Sequence, residues 1–400
     1  MSNLPVAIRT IVAVLLIYGS AAASAQISGE FYLEKSTYAP GEPVFLYFKL
    51  VNIGTEAETI PSADPYSFCS GYQISVSSSP PNTASCGSGL MALDCLSSSA
   101  ALPPGKPHVE RILLNFDNEI NAPGEYSVEA VRLLSHAGSS EDYFSSATVK
   151  DTLEVRATLH FDVSEQAASA GPGEFQPWVN QLRSTDPAKR IEAARTLASL
   201  GPPALEDTLL TFADNPEFQQ FAPLAFHRLN TPRSMAAMAE LIKKTHAGTA
   251  EDMESADYLA ESNDLQWFPL LREVAEKNAG IAAYVDDAAK LGGEQMLPTL
   301  IALANSPDRQ FTAINAVTAM GSTASRAAVP VLLDFLRNPN PDISDRARYA
   351  LRMLTHRTAS ADPEGTPQSE YFKWANWWAN DGRSAPIHKE GECGDPIPLN

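Results

Sequence analysis

Catalysis or metal binding needs acids, bases or nucleophiles that converge, and the chain offers several such groups to weigh. Seven histidines, His108, His136, His160, His227, His246, His356 and His388, stand singly along its 400 residues. There is no His-Glu-x-x-His helix, no Gly-x-Ser-x-Gly elbow and no phosphate loop; Gly171-x-Gly173 meets Gln176 where a dinucleotide fingerprint needs a third glycine. His227 falls in a helical pattern and is expected to be a packed side chain. Of the carboxylate pairs, Glu251-Asp252 stands at an expected helix start, where it complements the macrodipole, and Asp286-Asp287 is expected to face water. Asp142, Asp151 and Asp162 lack the spacing of a calcium loop. The reading is therefore no enzyme, with no catalytic, cofactor-binding or metal residue assigned and no cofactor implied.

Cysteine and tryptophan are the other groups with chemistry. Cys69, Cys86, Cys95 and Cys393 are four in number, which in an exported chain favours two disulfides with three possible connectivities. Close Cys-x-x-Cys or His pairings of a zinc site are missing. Three of the five tryptophans, Trp374, Trp377 and Trp378, cluster in one helical stretch. They read as a cap sealing the last apolar face of a helical stack, with an exposed glycan or peptide platform as the alternative.

The elements that must hold these groups begin with a secretory signal over 1–25: Arg9, the apolar run 11–18, then Ala23-Ser24-Ala25 before Gln26. That run is short of the ~20 residues of a spanning helix, so no membrane span is expected after cleavage. The chain carries 29 Lys and Arg against 48 Asp and Glu, a formal charge of −19. Clustered cations are confined to Lys189-Arg190 and Lys243-Lys244, which argues against a nucleic-acid partner.

Between 27 and 165 the hydrophobic period is two. Val44, Leu46, Phe48 and Leu50 alternate with their neighbours, as do Val155, Ala157, Leu159, Phe161 and Val163. Turn signals at Ala39-Pro40-Gly41-Glu42, Leu102-Pro103-Pro104-Gly105 and Ala122-Pro123-Gly124-Glu125 separate about seven strands, at 29–36, 42–53, 57–60, 71–78, 108–116, 124–134 and 152–163. This suits an all-β two-sheet sandwich, with a Ser-, Pro- and Gly-rich Cys-containing loop at 60–101 as a surface excursion. The run Ser36-Thr37-Tyr38-Ala39-Pro40-Gly41-Glu42-Pro43-Val44, the strand ending Leu50-Val51-Asn52, and Ala122-Pro123-Gly124-Glu125-Tyr126-Ser127-Val128 resemble bacterial immunoglobulin-like domains of exported proteins. They are also similar to the bacterial intracellular proteinase inhibitor family, which implies protease inhibition as an alternative role for this domain.

After a linker at 166–173 the period becomes 3.6. Leu200-Gly201, Leu229-Asn230, Ser262-Asn263, Leu291-Gly292, Met320-Gly321 and Leu354-Thr355 each close an apolar stretch, with second members 29, 33, 29, 29 and 34 residues apart. Such a period predicts an all-α superhelical solenoid of about six helical pairs over 174–382, followed by an extended tail at 383–400. Phe311, Ile314 and Val317 are expected to stripe the first helix of the fifth pair. Pro223 and Pro269 are expected to bend or shorten the second and third pairs. Asp186, Arg190, Ala193, Ala194, Leu197 and Gly201, and again Asp342, Arg346, Ala347, Ala350 and Leu351, occupy the pattern of HEAT and HEAT-like repeats, an armadillo-like helical family. With the signal at 1–25, the reading is an exported, periplasmic or extracellular protein whose helical repeats bind a protein or peptide of unknown identity. The alternatives are protease inhibition through the sandwich and glycan binding.

Overall fold

The computed structural model describes residues 27–62, 66, 71–79, 98–135, 152–164, 172–244, 248–306, 310–357, 367–390 and 396–399. The signal at 1–25 and all four cysteines lie outside these residues, as do His136, His246, Asp142 and Asp151. The chain divides into two compact units, Met1–Glu174 and Phe175–Asn400.

Alternating side chains make the first unit strand-rich. Its strands are β1 (Ile27–Leu33), β2 (Thr37–Tyr38), β3 (Phe45–Asn52), β4 (Glu58–Ser62), β5 (Tyr72–Ser79), β6 (Ser98–Leu102), β7 (Pro107–Leu113), β8 (Gly124–Ser135) and β9 (Thr152–Val163). They form a sheet of order β1-β3-β7, a sheet of order β2-β9-β8-β5 and the antiparallel pair β4-β6. Period-two alternation puts Phe31, Leu46, Phe48 and Leu50 of the first sheet in one buried cluster with Tyr126, Val128, Ala130, Phe161 and Val163 of the second. The Pro-Gly turns fall where expected, with Glu42 N donating to Ala39 O at 3.0 Å and Lys106 N to Pro103 O at 3.2 Å.

Two strands escape the sequence pattern. β2 is two residues long and pairs in parallel with Asp162 and Val163 of β9. β6 reads Ser-Ser-Ala-Ala-Leu, without β-branched or aromatic residues, and owes its conformation to pairing with β4. The stretch 60–101 is therefore not a bare loop: it contains the end of β4, all of β5 and most of β6.

The second unit is helical: α1 (Pro172–Gln181), α2 (Pro187–Leu200), α3 (Glu206–Leu210), α4 (Ala222–Leu229), α5 (Pro232–Lys244), α6 (Ala250–Glu261), α7 (Phe268–Lys277), α8 (Ala282–Gly292), α9 (Leu297–Ala304), α10 (Gln310–Ala319), α11 (Ala328–Phe335), α12 (Pro341–Thr355) and α13 (Pro367–Trp377). A hairpin of β10 (Ile387–Glu390) and β11 (Pro396–Leu399) ends the described chain. Helices α2, α4, α6, α8, α10 and α12 form one row, each against the next, and α3, α5, α7, α9 and α11 pack beside them.

The sequence writes the ends of these helices. Asp186 caps α2 by accepting from Ala188 N, with Pro187 at a position that needs no N–H, and Gly201 closes the helix at φ 51°. Left-handed residues then recur at Asn230, Asn263, Gly293, Ala324 and His356. The last three lie one to three residues beyond the glycine or threonine expected to end each stretch. Gly292 and Gly321 serve another purpose, close approach: a Cβ at Gly292 would stand 2.1 Å from Phe268 Cε2, and one at Gly321 would stand 3.0 Å from Ala350 Cα.

Pro223 and Pro269 also differ from expectation. Each occupies the first turn of its helix, α4 or α7, behind a short 3₁₀ turn, so neither kinks a helix interior. Phe311 is 77 % exposed; the buried side of α10 is Thr312, Ala313, Ala316 and Val317. Trp374 and Trp377 are buried at 1 % and 6 %, with Arg357 over the Trp377 ring. Trp378, the third ring of the cluster, is half-buried.

Candidate functional site

In the row of first helices, the position five residues before the closing residue of each stretch holds Thr196, Ala225, Tyr258, Asp287, Ala316 and Ala350 in turn. Small residues let neighbouring helices approach, and four of the six units keep one there. The third and fourth units place a phenol and a carboxylate instead, and around them gathers a seam of ionisable side chains. Glu254, Asp257 and Tyr258 share one face of α6 by their i, i+3, i+4 spacing, and Asp286, Asp287 and Lys290 come from α8. His227 lies in the last turn of α4.

The geometry is continuous from helix to helix. The His227 ring stacks on Tyr258 with centroids 4.1 Å apart and planes 17° apart. Tyr258 Oη donates to Glu254 Oε1 at 3.0 Å. Lys290 Nζ lies 3.1 Å from Asp286 Oδ2 and 3.7 Å from Asp257 Oδ1. Ser322, in the turn after α10, donates to Asp286 Oδ1. Asp287 is only 3 % exposed and leaves its Oδ2 without a hydrogen-bond partner.

Burial and like charge set the protonation of this seam. Desolvation pushes Glu254 up to about 7; the Tyr258 hydroxyl opposes this, and Glu251 and Asp257 add to it. Burial is also the main cause that raises Asp287 well above the ordinary carboxylate range, helped by Asp257 and Asp286 and opposed by Lys290. Burial disfavours the Lys290 charge, but Asp286, Asp257 and Asp287 outweigh it and hold its pKa above the usual lysine value. The Tyr258 hydroxyl is pushed up by burial and by Glu254. Such a seam favours the protonated forms of Glu254 and Asp287. Asp287 is closed to a substrate.

The expectation that Asp286-Asp287 faces water thus holds only in part. Asp286 is partly exposed, whereas Asp287 turns into the helix–helix contact, because adjacent helical residues point about 100° apart. Asp252 sits in the first turn of α6 as expected, its backbone N–H capped by Thr249, but it is fully buried. His227 is packed, as expected. Aligning the six stretches by their ends was the signal that exposes Tyr258 and Asp287 as the odd members. Among the described residues, no group of three or more His, Cys, Asp or Glu could hold a metal ion, and no helix is long and apolar enough to cross a membrane.

Residues 175–256 match the family model described as HEAT repeats, so this stretch, α1 to most of α6, is a helical repeat region of a kind often used for protein interaction. No curated protein matches the chain. Among solved structures it is similar to Salmonella alpha-2-macroglobulin reacted with methylamine, with a TM-score of 0.19 and 10 % identity over 94 % of this chain and 29 % of that one. It is also similar to the native conformation of E. coli alpha-2-macroglobulin, with a TM-score of 0.20 and 12 % identity over 94 % and 28 %. The chain spans under a third of the length of these structures, and likenesses this loose carry no argument.

Proposed function

We propose that this chain is an exported, non-enzymatic binding protein in which an immunoglobulin-like sandwich precedes a HEAT-like superhelical solenoid that holds a protein or peptide. The observation that carries the reading is the unbroken row of α2, α4, α6, α8, α10 and α12, which continues beyond the matched HEAT stretch with the same left-handed closures. Stacked repeats of this kind build extended surfaces, and a binding surface is their usual use. The row leaves Phe311 of α10 and Tyr349 of α12 exposed at 77 % and 50 %, aromatic residues of the type that anchor interfaces. For the sandwich, support comes from Tyr126 at the start of β8, whose hydroxyl donates back to Ala122 O at 2.8 Å, as at the tyrosine corner of immunoglobulin-like domains. Export rests on the leader-like sequence of residues 1–25.

Capture from an envelope extract with the full chain, with and without Phe311→Glu and Tyr349→Glu, tests the reading. A partner should be retained by the native chain and lost with the paired substitution. Retention by both chains would move the site off these helices, and capture of nothing by either, even after cross-linking, would overturn the scaffold role.

A further inference from the structure

We propose that the α6–α8 joint is a proton-operated hinge: one proton held on Asp287, beside Asp257, keeps the two helices closed, and its loss in alkaline solution loosens that joint while the flanking joints stay packed. The inference concerns the helices alone and stands whether or not the row binds a partner.

Three observations carry it. The two carboxyls come from different helices of the row and meet around Lys290, whose Nζ lies 3.7 Å from Asp257 Oδ1, and Asp287 stands where four other units place a small residue. Asp287 is almost fully buried with Oδ2 unpartnered, and a carbonyl oxygen costs far less to leave so than a carboxylate oxygen. On deprotonation the proton leaves to solvent past Asp257, whose side chain is 46 % exposed. Asp287 would then be a buried carboxylate beside the acids Asp257 and Asp286, and like charges repel.

From α6 come Glu251, Asp252, Glu254, Asp257, the Tyr258 phenol and Glu261, and from α8 itself the Tyr284 phenol, Asp286 and Lys290. On α5, packed against α6, Arg233 pairs with Glu206 and Asp207, Lys243 with Glu240 and Lys244 with Asp214. Lys290 already serves Asp286 at 3.1 Å, so one ammonium faces three acids. From α7, Arg272 pairs with Glu276 and Lys277 with Glu273 on the exposed side. The sequence of α10 has no ionisable residue, and Glu294, after α8, accepts from Ser325. The α4 side adds His227 and Arg228 next to Tyr258. The surplus is acidic, so a proton is the species that balances the joint.

Amide hydrogen exchange on the full chain, at about pH 5.5 and 8.5 and divided by intrinsic rates, reads the joint directly. Protection across 252–261 and 282–292 should fall by about tenfold or more on going alkaline, the scale of one unit of proton linkage. Protection of α12 serves as reference and should hold. Asp287→Asn, which keeps the shape without the charge, should abolish the fall; if that variant fails to fold, Asp257→Asn serves the same purpose. A native chain with equal protection at both values, an equal fall in α12, or a fall that survives the substitution would overturn the hinge.

Discussion

Each unit of the molecule buries charge, and they do so in opposite ways. In the strand-rich unit, Arg132 of β8 is 1 % exposed, lies 3.9 Å from Glu110 of β7 and covers the Tyr72 ring of β5 at 4.3 Å. Tyr72 donates to Glu110 Oε2, the oxygen that Arg132 faces, and His108 Nε2 stands 3.2 Å from Glu110 Oε1. A cation is matched to an acid, and the acid is hydrogen-bonded twice. In the helical unit, Asp257, Asp286 and Asp287 share Lys290. The difference teaches that the balance of a buried ionic cluster matters more than its existence: a matched cluster is a fixed rivet, whereas a surplus of one sign makes packing answer to protons.

The largest effect is expected at the rivet. Arg132→Met leaves Glu110 buried without its cation and should cost about 3–5 kcal/mol. Calorimetry of the full chain should show one transition moved down and the other unmoved, and adding Glu110→Leu should restore most of the loss. If the single substitution moves nothing, the cluster is not a rivet.

A smaller effect separates packing from charge in the helices. Gly292→Ala drives a methyl into the Phe268 ring and should cost about 1–3 kcal/mol by overpacking, equally at acid and alkaline pH. A pH-dependent loss, measured by denaturant titration at two pH values, would instead mean that the α7–α8 contact and the acidic seam are one device.

The smallest effect belongs to Glu254. Its folded pKa, about 7, lies above the unfolded carboxylate value, so the folded state binds the proton more tightly. Stability is full below the unfolded pKa, declines as pH rises towards 7 and is flat beyond. Glu254→Gln, which can still accept from Tyr258, should remove that decline, worth roughly 1 kcal/mol for a partly exposed side chain. Unfolding curves from pH 4 to 8 that keep the same slope in the variant would assign the slope to Asp287 alone.

How far the sequence could be read depended on the range of the interactions. Period-two alternation located β3, β8 and β9, and Asp186-Pro187 with Leu200-Gly201 bracketed α2, because those signals are local. β2 and β6 were illegible, since two residues and a Ser-Ala run become strands only through partners 125 and about 40 residues away. Phe311 misled because an apolar residue one place off the buried side of α10 looks, in a short pattern, like part of it. Of the seam, Asp286-Asp287 and His227 stand out in the sequence, but Glu254, Asp257, Tyr258 and Lys290 do not, and the burial of Asp287 depends on where α6 lies. Proline in a first turn was read as disruption at Pro223 and Pro269, whereas the helices simply begin there.

The parallel pairing of Thr37 with Asp162 and Tyr38 with Val163 has a consequence in time. A chain synthesised from its N-terminus has made β2 long before β9 exists, so the four-stranded sheet must wait for residue 163 with apolar strands uncovered. The helices have no such wait: each first helix meets its successor within about one repeat of chain, and local contacts form fastest. The strand-rich unit is therefore expected to fold more slowly than the helices that follow it in the chain, and to expose apolar strands for longer.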